Sequence, residues 1–155
     1  MRVVKCPDEF QFTDSDESVV FMAGGITGCP DWHRDILERS KTNTKNITLL
    51  TPRRDDWDSY AGSSEDQIAW EHKHLKYADW VFFWFPKEGK CMITLFELGC
   101  ALGEGRNIRV GVEPGYVPEL DVREQIKHRL PNLPIYSTRG IVTGKQKNKI
   151  GRAHV

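Results

Sequence analysis

The run Trp80-Val81-Phe82-Phe83-Trp84-Phe85-Pro86 carries no charge, and no other stretch restricts the fold as much. An uncharged, aromatic-rich run ending in proline is the pattern of a strand buried on both faces, because a central parallel strand has helices packed above and below it. Similar strands surround it. Ser18-Val19-Val20-Phe21-Met22-Ala23 is apolar and bounded by glycine, Ile47-Thr48-Leu49-Leu50-Thr51 is stopped by Pro52, and Ile108-Arg109-Val110-Gly111-Val112 and the short Pro134-Ile135-Tyr136 follow. Val3-Val4 is a candidate edge strand.

Helical segments separate these strands. Pro30, placed in a first turn where its missing donor costs nothing, opens a helix through Arg39 with Trp32, Ile36 and Leu37 on its apolar side. A second helix begins at Ser63-Ser64, with Ser64 and Gln67 in capping-box relation, and runs to Tyr77 with Ile68, Leu75 and Trp70 inward. His72 and His74 lie on different faces of it, a poor metal pair, and read as solvated. A third helix contains Glu97, with Ile93, Phe96, Ala101, Gly99 and Gly103 available to pack on the sheet. The fourth spans Pro118 to Leu130, with Leu120, Val122, Ile126 and Leu130 inward. Alternating strands and helices imply a parallel sheet with right-handed crossovers. The expected fold is α/β: a flavodoxin-like, doubly wound five-stranded parallel sheet with helices on both faces.

The 155 residues fit one domain. The expected division is an N-terminal extension over 1–17, the α/β domain over 18–138 and a basic C-terminal tail over 139–155. Charges sum to zero, which gives no support for polymeric nucleic acid or an anionic membrane as partner. Cys6, Cys29, Cys91 and Cys100 are scattered without zinc spacing, and reduced thiols are the default. No run is long enough to span a membrane and the start is no signal peptide, so a cytoplasmic protein is expected.

In open α/β sheets the ligand crevice lies beyond the carboxyl ends of the strands. Three stretches fall there. Gly24-Gly25-Ile26-Thr27-Gly28 follows the first central strand, and its glycines suit close approach to sugar or phosphate oxygens; a plain strand-to-helix turn accounts for them as well. Arg53-Arg54-Asp55-Asp56-Trp57-Asp58-Ser59-Tyr60 offers Trp57 or Tyr60 to stack on a base and Arg53 or Arg54 to hold a phosphate. The other reading of it is an ion-paired surface loop. The third stretch, Ile93-Thr94-Leu95-Phe96-Glu97-Leu98-Gly99, sets one carboxylate among apolar residues; a solvated glutamate at the positive end of a helix dipole is the plainer reading.

Taken together, Phe21-Met22-Ala23-Gly24-Gly25, the Ala78-Asp79-Trp80 strand entry with its aromatic run, and Thr94-Leu95-Phe96-Glu97-Leu98-Gly99 resemble the nucleoside 2-deoxyribosyltransferase family, over about residues 18 to 136. The resemblance implies transfer of deoxyribose between bases through a covalent glutamyl ester. It implies Glu97 as the nucleophile and Glu71 as the acid contacting the base, with Asp79 in a secondary catalytic or capping place. Gly24, Gly25, Ile26, Thr27, Arg53, Trp57, Tyr60 and Thr94 become candidate substrate contacts. The implied partners are a deoxynucleoside or deoxynucleotide, a free nucleobase and further copies of the chain, with no metal or organic cofactor.

Three positions depart from the family pattern. Phe21 stands where a tyrosine commonly orients the nucleophile, Glu71 replaces the usual aspartate, and Lys90, Cys91 and Met92 occupy the neighbourhood of a second acid. Asn132 and the tail are the candidate donors to a neighbouring subunit's site. Hydrolysis with water as acceptor, a non-catalytic nucleotide-binding module and an electron-transfer flavodoxin are the competing readings.

Overall fold

The computed structural model describes residues 1–12, 16–42 and 45–139. In chain order the elements are β1 (Arg2–Lys5), β2 (Ser18–Gly24), α1 (Trp32–Ser40), β3 (Ile47–Thr51), α2 (Ser64–Tyr77), β4 (Trp80–Phe85), α3 (Met92–Gly103), β5 (Ile108–Val112), α4 (Glu119–Arg129) and β6 (Ile135–Tyr136). All pairings are parallel, in one sheet of order β1-β3-β2-β4-β5-β6. Without β1, the other five strands run second, first, third, fourth, fifth, which is the flavodoxin-like order. Val3 and Val4 lie in β1, paired with Leu49 and Leu50 at the sheet edge. The tail from residue 140 onward lies outside the described residues.

Strand β4 is buried on both faces, as its lack of charge requires. Val81, Phe83 and Phe85 join the core under α2, α3 and α4, with Trp70, Leu98, Ala101, Val122 and Ile126. Phe82 and Trp84 point to the opposite face, where Trp32 and Ile36 of α1 cover them. No helix among the described residues is long and apolar enough to cross a membrane.

Several inward faces differ from the expectation. Helix α3 buries Thr94, Leu98 and Ala101, leaving Ile93 and Phe96 exposed. Almost every residue of α3 is apolar, so periodicity cannot choose a face there. In α4, Leu120 points to solvent while Val122 and Ile126 are buried. In α2 the buried stripe is Gln67, Trp70 and His74, and Ile68 is 61% exposed. The N-cap is Ser63, whose side chain accepts from the Asp66 amide, which frees Gln67 from a capping role.

The reason for the α2 stripe lies in residues 6 to 12, which lie over that helix. The Cys6 thiol donates to Gln67 Oε1 at 3.2 Å, Trp70 Nε1 donates to the Asp8 carbonyl at 2.8 Å, and the Phe10 amide donates to His74 Nε2 at 3.2 Å. His74 donates from Nδ1 to the Trp70 carbonyl at 2.7 Å and stacks on that indole. A buried polar group is tolerated when its partners are all present, and His74 is therefore a neutral core residue and not a solvated one. Burial accordingly pushes its pKa down.

The turn from α2 into β4 is closed by Arg106. Its guanidinium donates to the carbonyls of Leu75 at 2.7 Å, Lys76 at 2.9 Å and Ala78 at 2.8 Å, groups that a helix end otherwise leaves unpaired. Arg106→Ala should cost about 2 kcal/mol, since it strands partly buried acceptors. Urea unfolding of the two proteins measures this, and an unchanged midpoint would remove the capping role.

Candidate functional site

The sheet order reverses beside β2, whose neighbours β3 and β4 are reached by chain running in opposite directions. A cavity of about 790 Å³ opens there, beyond the carboxyl ends of β2 and β4, the expected crevice of such a sheet. Its wall on the sheet side is Phe21, Ala23, Gly24 and Gly25, continued by Ile26 and Thr27. Helix α2 contributes Gln67, Ile68 and Glu71; the uncapped first turn of α3 contributes Cys91, Met92, Ile93 and Thr94, with Glu97 one turn further on. Trp57 and Tyr60 line the side formed by the loop after β3.

Local backbone chemistry explains this arrangement. A Cβ on Gly24 would collide with the Trp32 ring and the Trp84 carbonyl, and one on Gly25 would stand 2.7 Å from Cys91 Sγ and 2.8 Å from Cys29 Sγ. Glycine at both positions lets the loop lie directly against the strands and the α3 entry. Cys91, the N-cap of α3, has φ +53°, a left-handed backbone that costs a non-glycine residue energy and recurs at functional sites.

The electrostatics centre on two carboxylates. Burial, reinforced by the nearby charge of Glu71, raises the Glu97 pKa to about 7. No hydrogen-bond donor among the described residues engages the Glu97 carboxylate. Burial also raises Glu71, opposed by the hydrogen bond from Gln67 Nε2 to Glu71 Oε1 at 3.1 Å. Two acids from different helices thus face one cavity, and burial raises the pKa of both.

Glu97, Glu71, Gly24, Gly25, Ile26, Thr27, Trp57, Tyr60 and Thr94 are brought together in this cavity. Two expected residues are not. Asp79 precedes the amino end of β4, at the opposite end of the strands from the cavity, where its Oδ2 accepts the Val19 amide at 2.8 Å and its own amide donates to the Val19 carbonyl. That pairing locks β2 to β4 and is structural. Arg53 lines a separate groove beside α1 and β1, with its Nε 3.5 Å from Asp31. Arg54 is likewise engaged, with Asp56 at 3.1 Å and stacked on the Tyr60 ring. The arginines thus follow the ion-paired reading of their loop. Gln67 and Cys91 were not expected; the spacing of Gln67 four residues before Glu71 carried a signal for the first, and nothing in the sequence pointed to the second.

A model of the family described as "Nucleoside 2-deoxyribosyltransferase like" matches residues 17–116. The chain belongs to that family. No curated protein matches it. Among solved structures, it is similar to a conserved protein from Enterococcus faecalis V583, at 11% identity and a TM-score of 0.49, over 77% of this chain and 81% of that one.

Among the expected features of a nucleoside 2-deoxyribosyltransferase-like protein, the Glu97 segment stands in the cavity while Phe21 presents a ring without a hydroxyl beside it. A carboxylate left without donors is costly to ionise when half-buried. Because the folded protein binds the Glu97 proton more tightly than the unfolded chain, stability contributed at this site falls as pH rises from about 4.5 to about 7. Glu97→Gln should therefore stabilise the fold by ~2 kcal/mol at alkaline pH, with the gain vanishing below the ordinary carboxylate range. Urea unfolding at several pH values measures this; a variant less stable than the parent at alkaline pH would contradict the burial argument.

Proposed function

We propose that this protein cleaves the N-glycosidic bond of a 2′-deoxynucleoside and transfers the sugar to another base. The observation that supports this most is Glu97, a half-buried carboxylate that no donor among the described residues engages and that shares its cavity with Glu71. Glu97 attacks C1′ of the deoxyribose in its ionised form. The bond from C1′ to the base breaks, its electron pair goes to the base nitrogen, and Glu71 in its protonated form supplies the proton. The second base then attacks C1′ of the glutamyl ester, Glu97 leaves as carboxylate, and the incoming base's proton returns to Glu71. Written so, the reaction uses one proton between two acids and needs no cofactor.

Trp57 and Tyr60 flank the side of the cavity where a base would stack, and Gly24 to Thr27 with Thr94 are the candidate contacts for sugar oxygens. The lining sets Glu71, Glu88 and Glu97 against Lys90, with both loop arginines paired elsewhere. That balance favours an uncharged nucleoside over a 5′-phosphate. Ile68, Met92 and Ile93 at the cavity wall, together with Phe96 of α3, the last 71% exposed, suit coverage by a second copy of the chain.

A panel of deoxynucleosides and deoxynucleotides, incubated with and without free adenine and separated by chromatography, tests the reading. A new nucleoside formed only with acceptor is the expected result, with at least ~10³-fold loss in Glu97→Ala. Release of free sugar regardless of acceptor would establish hydrolysis in place of transfer. Absence of turnover on every member would favour a nucleotide-binding module. For assembly, Phe96→Asp should reduce the mass measured by light scattering; a parent protein that is already monomeric would remove the second copy from the account.

A further inference from the structure

Glu71 does not sit in the cavity unaided. Gln67 precedes it by one helical turn and is buried, and every hydrogen-bonding group of its amide except one oxygen lone pair is engaged. Nε2 donates to the Pro52 carbonyl at 2.8 Å and to Glu71 Oε1 at 3.1 Å, while Oε1 accepts from the Cys6 thiol at 3.2 Å. The Pro52 carbonyl can only accept, and it therefore fixes which end of the amide is nitrogen. Flipping the amide would set its oxygen against both the Pro52 carbonyl and the Glu71 carboxylate. The second N–H is thus committed to Glu71, and one carboxylate oxygen is held while the other remains for the cavity.

We propose that Gln67 is a positioning residue for the reaction. It holds the Glu71 carboxyl group in one orientation through one oxygen and leaves the other oxygen facing the cavity, with its own amide set by Pro52 and Cys6. This rests on the assignment of Glu71 to the departing base. Among the described residues, the groups that act on Glu71 are Glu97 from α3, Gln67 on its own helix, and the Cys6 thiol after β1, itself approached by Arg54 Nη1 at 3.5 Å. None of the others donates to Glu71, and removing Gln67 leaves the carboxylate without a replacement. A buried acid deprived of its donor is oriented by nothing and takes up its proton more readily. With Oε1 occupied by the Gln67 N–H, the other Glu71 oxygen is the one left to carry the proton passed to the base.

The test uses Gln67→Met and Gln67→Leu, each of which removes the N–H donors without adding a charge, alone and combined with Glu71→Gln. Gln67→Met should lower kcat for nucleoside cleavage about tenfold or more with little change in KM, since the acid loses the contact that orients it toward the departing base. In the Glu71→Gln background the same change should have almost no further effect. In protein carrying ¹³C-carboxyl glutamate, the Glu71 resonance should titrate at higher pH in either Gln67 variant than in the parent. An equal loss of kcat in both backgrounds, or an unmoved Glu71 titration, would overturn the proposal and leave Gln67 a structural residue. The titration needs no turnover, so it decides the role of Gln67 even if the parent protein cleaves no nucleoside, an outcome that would count against the proposed activity alone. Should Gln67→Met fail to fold, Gln67→Leu removes the same donors without adding a charge and carries the same readouts.

Discussion

Burial of β4 on both faces is the constraint on which the other parts of this protein depend. A strand of six residues without charge has to be covered twice, and α1 on one side with α2, α3 and α4 on the other meet that need. Covering both faces forces the chain to reverse its direction of travel across the sheet beside β2. The cavity follows from that reversal, because the loops leaving β2 and β4 diverge to opposite faces and cannot fill the space between them. Nothing about the cavity had to be built separately from the core.

Into that space the fold directs two acids from different helices. Glu71 comes from α2 and Glu97 from α3, and each reaches the cavity because the neighbouring turns are anchored: α2 by Gln67, Trp70 and His74 bonded to residues 6 to 12, α3 by Thr94, Leu98 and Ala101 against the sheet. The N-terminal segment is therefore part of the support of the site. It sets Gln67 through Cys6 and holds the helix face that presents Glu71. The cavity also carries evident costs to stability: a carboxylate without donors and a cysteine in left-handed backbone. Functional sites commonly oppose stability in this way.

The sequence alone made most of the sheet legible, since short apolar runs bounded by glycine or proline read as buried strands; Ile47–Thr51, Trp80–Phe85 and Ile108–Val112 have those bounds in the structure. Helix faces were less legible, for two separate physical reasons. On α3 almost every position is apolar, which leaves no contrast for periodicity to detect. On α2 the buried stripe contains Gln67 and His74, whose burial depends on partners some sixty residues away in the chain, and no local pattern reports such pairs. The same limit applied at the site. Glu97 and Glu71 stood out by their context and resemblance, whereas the engagement of Arg53 with Asp31 and of Asp79 with Val19 emerged only once distant elements were in place.

In the proposed reaction Glu97 carries the sugar between two bases. Rapid acid quenching of the protein mixed with a deoxynucleoside in the absence of acceptor, followed by proteolysis and mass spectrometry, tests it directly. The account predicts one deoxyribosyl group on the peptide containing Glu97, lost on addition of free base and absent in Glu97→Gln. Turnover without any adduct on that peptide, or an adduct on another residue, would contradict it.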